Sequence, residues 1–266
     1  MALIGSLTSG VSALRTFSKS IETIGDNIAN ANTTGFKSSR TRNEDSFSQT
    51  LETASGSSSS LQVGSGVNVA TNRQNFTQGS LSSTGVPTDI GIAGNGFFKV
   101  KNSATSESFV TRDGNFKLDA TGYLVNSQGL RVQGAAGDIK LTNAVTNPLQ
   151  SFSVADDGEI TEFYSDSTSA TLNTIHLWSF NDPTSLERSS GNLYRETPSA
   201  GVINALGDPA GTLGLGATKQ GTIEMSNVDL AQEFTDLITA QRSFQAGSRI
   251  ITVSDSVLQE IVDLKR

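Results

Sequence analysis

Residues 226–266 read SNVDLAQEFTDLITAQRSFQAGSRIITVSDSVLQEIVDLKR. Leu230, Leu237, Phe244, Ile251 and Leu258 recur there every seventh residue, and Phe234, Ile250, Val257, Ile261 and Leu264 widen the apolar stripe. A seven-residue repeat keeps one side of an α-helix apolar over many turns. The spacing therefore predicts one helix over 228–264, roughly 55 Å long at 1.5 Å per residue. Asn227 and Asp229 are candidate N-caps, acidic Asp229 and Glu233 suit the first turn, and Lys265 and Arg266 suit the far end of the helix dipole. Gly247 inside the run costs about 1 kcal/mol relative to Ala unless a close neighbour compensates. Gln241 and Ser248 are polar positions on the flank of the stripe.

The other end of the chain repeats the pattern. Leu7, Leu14, Ile21 and Ile28 are seven apart, with Val11, Phe17 and Ile24 between them. This second helix is expected to stop in NIANANTTGFK, residues 27–37, where Asn and Gly tolerate the left-handed backbone that ends helices. Two stripes with little else to cover them favour pairing as a coiled-coil-like rod. Polar seam positions and Gly247 make an isolated pair weak, so further copies of the chain are expected to bury what remains. The intervening 38–66 segment, SSRTRNEDSFSQTLETASGSSSSLQVGSG, is dense in Ser and Gly and reads as an extended connection.

The middle of the chain has period-two runs broken by turn residues: 96–100, 108–112, 115–118, 123–125, 130–133, 150–154 and 174–180. Asp113-Gly114 and Asp157-Gly158 are hairpin signals. Short strands at this spacing predict an all-β domain. The fold class is therefore α+β, with an N-terminal helical segment over 1–37, a linker over 38–70, a β domain over 71–224 and a C-terminal helix over 225–266.

Composition narrows the function. The chain has 266 residues, 35% hydrophobic and 17% charged, against about 45–50% apolar (glycine included) and about 25% charged in ordinary soluble domains. The net charge of −7 and the lack of a basic stripe argue against nucleic acid. No run approaches the roughly 20 apolar residues of a membrane span. With no Cys and one His, His176, thiol catalysis, cysteine metal sites and two-histidine metal motifs are excluded. Asp156-Asp157-Gly158-Glu159 is too short for a calcium loop. The glycines at 91–96 and 211–216 lack the order and following helix of a dinucleotide loop. No catalytic, cofactor-binding or metal residue is expected. The opening MALIGSLTSG carries no basic lead, so a cleaved secretory signal is not expected.

Four stretches together resemble one family, the rod and hook axial proteins of the bacterial flagellum. They are the 27–37 motif with Asn27, Asn30, Gly35 and Phe36; residues 76–100, ending in Gly96-Phe97-Phe98-Lys99-Val100; residues 111–129; and the 226–246 stretch with Asn227, Asp229, Gln241 and Arg242. The resemblance implies a non-enzymatic structural subunit of the hook or distal rod. It implies self-assembly into a hollow helical tube that transmits torque, with the terminal helices inside and the β domain outside. Implied partners are its own copies, neighbouring rod and hook subunits, subunits of the hook–filament junction, and the flagellar type III export apparatus, which uses an uncleaved N-terminal segment. The expected assembly residues are Leu7, Val11, Leu14, Ile21, Ile28, Leu230, Phe234, Leu237, Phe244, Ile251, Leu258 and Ile261. The competing reading is a secreted β-domain binding module or hydrolase with helical flanks, whose site would lie near His176 and Trp178.

Overall fold

The computed structural model describes residues 2–52, 61–141 and 149–264. Lys265, Arg266 and the serine-rich 53–60 segment of the expected linker lie outside the described residues. The described chain separates into two compact units. One comprises residues 1–30, 38–75 and 228–266, and the other residues 31–37 and 76–227. The chain therefore passes between the units four times, and the 31–37 half of the N-terminal motif belongs with the β structure.

The first unit holds both helices, α1 (Ala2–Ala29) and α2 (Leu230–Leu264). Asp229 is the N-cap of α2: its Oδ1 accepts from the Ala231 amide at 2.9 Å, satisfying one of the donors a helix start leaves open. Asn227, the other candidate, does not cap. The helices pack side by side in opposite directions. Ser6 Oγ lies 3.2 Å from Ser254 Oγ, and a Cβ added to Gly10 would lie 3.0 Å from Ile251 while one on Gly247 would lie 3.3 Å from Leu14. The buried positions of α2 are Glu233, Ala240, Gly247 and Ser254, again seven apart. Small residues on this line let the helices approach closely, and that approach is the compensation Gly247 requires.

The 38–66 segment, read as an extended connection, is extended but paired in its described residues, and the pairing runs on to Gln74. Ser39–Asp45 runs antiparallel to Val67–Gln74, and Ser48–Glu52 antiparallel to Leu61–Gly64. The ribbon is pinned to α1 at Val67, whose amide donates to Ser12 Oγ at 3.2 Å and whose carbonyl accepts from Thr16 Oγ1 at 3.3 Å. Gly66 permits this contact. Its φ is +118°, and a Cβ would sit 2.2 Å from Ser12 Oγ. At the base of the ribbon Asn27 and Ser39 exchange two bonds, Nδ2 to O and N to Oδ1, both 2.9 Å.

The second unit is antiparallel β throughout its described sheets. An eight-stranded sheet is ordered Glu187–Arg188, Leu193–Arg195, Ser108–Thr111, Phe98–Lys101, Arg131–Gly134, Leu124–Val125, Lys117–Leu118, with Gly137–Asp138 added to Arg131–Gly134. A meander of Leu149–Val154, Glu159–Tyr164 and Ser169–Thr174 lies beside short two-stranded pairs. Phe98 and Val100 alternate inward with Lys99 and Lys101, as a strand with one buried face requires. They join Ile90, Phe116, Val132 and Ile175 in the larger core. A second, aromatic core holds Phe97, Trp178, Phe180 and Tyr194, with Phe97 edge-on to Phe180 at 5.6 Å between centroids.

Asp157-Gly158 makes the expected hairpin turn, with the Ala155 amide bonded to Glu159 O at 2.9 Å. Asp113-Gly114 does not. Gly114 O accepts from the Ile90 amide at 3.0 Å, and a Cβ on Gly114 would sit 1.8 Å from Ile90 O. That glycine provides close backbone contact rather than a tight turn. The single strand expected over 174–180 is divided: residues up to Thr174 end the meander, while His176–Leu177 pairs with Asp208–Pro209.

Candidate assembly surface

Seven of the twelve expected assembly residues lie along the packed sides of the helices, half-buried: Leu7, Leu14, Ile21 and Ile28 in α1, and Leu237, Ile251 and Leu258 in α2. Val11, Leu230, Phe234, Phe244 and Ile261 remain exposed. At 100° per residue the large exposed side chains of α2 fall on both flanks of the buried line. Leu230, Phe234 and Ile238 lie on one flank in the first half, and Ile250, Val253 and Val257 on the other in the second. These six are 36–61% exposed. An amphipathic helix in a finished globule keeps its apolar stripe covered, and this one is uncovered on two sides. The sequence stripe did not separate these residues from those that touch α1, because the closest seam is made by small residues that carry no hydropathy signal.

Most of the motif residues are structural fasteners. Asn27 holds Ser39 as described, and Asn30 Nδ2 bonds Asp26 O at 2.8 Å. In the β unit Gly35 adopts φ +66°, and a Cβ there would lie 2.6 Å from the Asp113 amide nitrogen. Phe36 is buried, with the Arg188 guanidinium 4.8 Å above its ring. Gly96 and Phe97 belong to the buried strand entrance. Asn227 Nδ2 donates to Thr77 O at 3.0 Å. Gln241 and Arg242 are exposed on α2.

Beside Phe36 the sequence reading missed a buried ionic triad. Lys37 Nζ lies 2.6 Å from Glu224 Oε1, and Arg112 Nη1 lies 3.3 Å from Glu224 Oε2, with side-chain exposures of 0%, 0% and 3% for Lys37, Glu224 and Arg112. The Gly79 amide donates to Glu224 Oε1 and Lys37 Nζ to Thr77 O, both at 2.8 Å. The Gly35 amide donates to Glu224 O at 2.8 Å. Burial pushes the Lys37 ammonium below its ordinary pKa, partly opposed by the Glu224 charge, and acts on Arg112 in the same direction. Lys37, Asn227 and Glu224 thus gather the chain near three of its crossing points, 37, 76 and 227, into one cluster. Lys37 and Glu224 are 187 residues apart, so no local spacing announced the pair.

Trp178 is buried and its Nε1 donates to Ala205 O at 3.2 Å. His176 Nδ1 lies 3.1 Å from Leu206 O. Trp178 is core rather than a stacking platform for a ligand. No cluster of three or more potential metal ligands occurs among the described residues, and no helix of the described chain is long and apolar enough to cross a membrane.

Three family models match the chain: flagella basal body rod protein over residues 7–37, the flagellar hook protein FlgE/F/G D1 domain over 91–162, and the flagellar basal body rod FlgEFG protein C-terminal region over 219–264. The flagellar basal-body rod protein FlgG of Bacillus subtilis is 39% identical over 270 residues, covering 99% of this chain and 100% of that protein. The chain belongs to the flagellar rod and hook axial protein family. As a member it is a structural subunit of the flagellar axis. The FlgG of Borreliella burgdorferi is 34% identical over 256 residues, covering 92% of this chain and 93% of its own. The hook protein FlgE of the same organism is 25% identical over an alignment of 445 residues covering 99% of this chain and 100% of that protein. The three family models fall on α1 with its motif, on the β unit, and on α2 with the strand before it, which is the order the four sequence stretches follow.

Proposed function

We propose that this axial subunit is of the distal-rod type and polymerises with its own copies into a hollow helical tube that carries torque. The single observation behind this reading is the doubly uncovered apolar surface of α2. A helix exposed on both flanks calls for two neighbours, and a head-to-tail contact repeated around an axis produces a ring or a helical filament. The coiled-coil-like α1–α2 pair is the inner assembly element, and the β unit is the outer layer. Neighbouring rod and hook subunits, subunits of the hook–filament junction and the flagellar type III export apparatus are its further partners. The absence of enzymatic activity follows the family role. The rod assignment over the hook rests on length: the alignment with the rod protein of Bacillus subtilis spans 270 residues, near the length of the chain itself, whereas that with the hook protein extends to 445.

The test is polymerisation of purified full-length protein followed by electron microscopy. Unmodified chain forms tubes at high concentration. Val253→Asp, which places a charge on an exposed position of α2, keeps the monomer's far-UV circular dichroism but abolishes tubes. Normal tubes from Val253→Asp would show that this flank is not an interface.

A further inference from the structure

The β unit carries a groove of about 310 Å³, lined in part by Phe76, Phe97, Phe180, Ile203, Leu213 and Arg112. Apolar walls around a single convergent polar group are the common form of a binding site. Arg112 is that group, and its side chain is 3% exposed. Nη1 donates to Gly94 O at 2.9 Å and to Glu224 Oε2 at 3.3 Å. Nε is buried with no hydrogen-bond partner, and Nη2 donates to no described residue. The guanidinium stacks 5.0 Å from the centroid of the Phe97 ring, so ring and cation form one surface of the groove. No Asp or Glu lines that groove, and Lys37 and Arg112 share the one carboxylate of Glu224 beneath it. Donors held from water without an acceptor are unfavourable. An incoming carboxylate completes the guanidinium with two parallel bonds and balances the surplus positive charge.

The rim of the groove carries an independent signal. Ile203 is 64% exposed and Leu213 85%. Leu213 sits in a tight turn closed by the Leu215 amide on Thr212 O at 2.8 Å, with φ at +49°. Left-handed backbone is strained for a residue with a Cβ, and glycine or asparagine normally holds such a place. Leucine there is unfavourable twice over in the isolated unit, once in the backbone and once in the apolar surface left in water. A chain laid across the rim converts the second loss into burial. A small organic acid would fill the floor and leave Ile203 and Leu213 wet, whereas a peptide spans both.

We propose that this groove docks an extended segment of a partner protein in which an aromatic side chain stands next to an acidic one. The ring lies against Phe76, Phe97 and Phe180, the carboxylate bonds Arg112, and the segment's backbone crosses the rim at Leu213. The site lies within the β unit and does not depend on the tube reading. The probe is the peptide acetyl-Gly-Phe-Asp-Gly-amide, titrated into full-length protein carrying isotope-labelled Ile and Leu methyl groups. The methyl signals of Ile203, Leu213 and Leu215 shift and saturate. The acetyl-Gly-Phe-Asn-Gly-amide peptide, which lacks the charge, binds about tenfold more weakly. Leu213→Gly suits the left-handed turn, so it keeps or raises the melting temperature while weakening the acidic peptide about threefold. A leucine with a purely structural role would not separate those two readouts. Equal affinity for the two peptides, unmoved groove methyls, or unchanged binding by Leu213→Gly overturns the proposal. So does phenylacetate binding as tightly as the acidic peptide, which marks a small-acid site. Groove methyls that shift with protein concentration alone overturn it too, because the occupant is then a second copy.

Discussion

Replacing Glu224 by Gln tests whether the buried triad is governed by charge balance. In the native unit one carboxylate faces two cations. Glu224→Gln leaves Lys37 and Arg112 buried with no anion, and turns one acceptor oxygen into an amide donor that faces a donor. Breaking a buried ion pair in this way costs about 3–5 kcal/mol. For a unit of this size about 2–4 °C of melting temperature is lost per kcal/mol, so a fall of about 6–20 °C is expected. Lys37→Met is the contrasting variant. It removes the surplus cation, keeps Arg112 paired with Glu224, and leaves Glu224 Oε1 bonded to the Gly79 amide. Its cost is about 1–3 kcal/mol, from the lost charge-assisted bonds to Glu224 and Thr77. The chain's single tryptophan, Trp178, is buried in the same unit and reports unfolding by fluorescence in thermal and urea melts at neutral pH. If Lys37→Met proves as damaging as Glu224→Gln, or more so, charge balance is the wrong account and the triad acts through packing.

Two further predictions concern other regions. Gly66→Val puts a branched side chain at φ +118° against Ser12 and should destabilise the helical unit by about 1–3 kcal/mol. Hydrogen exchange at the Val67 amide is the readout, and unchanged protection there would refute the close-contact argument. Burial pushes the Tyr194 hydroxyl up to about 12, with Arg188 and Arg112 opposing. Of the three tyrosines, this one should lag in an alkaline absorbance titration of folded protein, while all three ionise near 10 in urea. Between pH 10 and about 12 the unfolded chain loses a proton that the folded one keeps, so this group's contribution to stability falls as pH rises through that window. Tyr194→Phe should abolish both effects, and simultaneous ionisation of all three tyrosines in the folded protein would contradict the burial argument.

Both helices were legible because a seven-residue repeat is a local signal that survives any tertiary context. The contacts that matter between them were less so. Ala240, Gly247 and Ser254 are small, and hydropathy ranks them below Phe234 and Phe244, which in the single chain face outward. The ribbon's 38–66 stretch was read as a connection because it is dense in Ser and Gly, with Ser39–Asp45 polar on both faces and Val67–Gln74 apolar only at Val67, Val69 and Ala70. Their pairing is set by backbone bonds and by the hydroxyls of Ser12 and Thr16, not by an apolar alternation. The Asp113-Gly114 pair shows the limit of turn chemistry: a glycine required for close approach is indistinguishable in sequence from one required for a left-handed turn. The Lys37–Glu224–Arg112 triad joins segments separated by most of the chain, beyond the reach of any short motif.

The interleaving of the two units sets the order in which the protein can be completed. The β unit closes over residues 31–37 and 76–227, so all of its strands are available once Asn227 has emerged from a ribosome or a narrow channel. The helical unit must wait for α2, since contacts such as Ser6 with Ser254 span 248 residues. Bringing such distant segments together is slow and entropically costly. Until then the ribbon, held through Ser12, Thr16 and Asn27, is the partner α1 has in its own chain, and the exposed flanks of α2 have not yet been made. On the tube reading proposed above, a partly delivered chain lacks the α2 surface through which it would join its neighbours, and the arrival of its last segment acts as the licence to join the growing end.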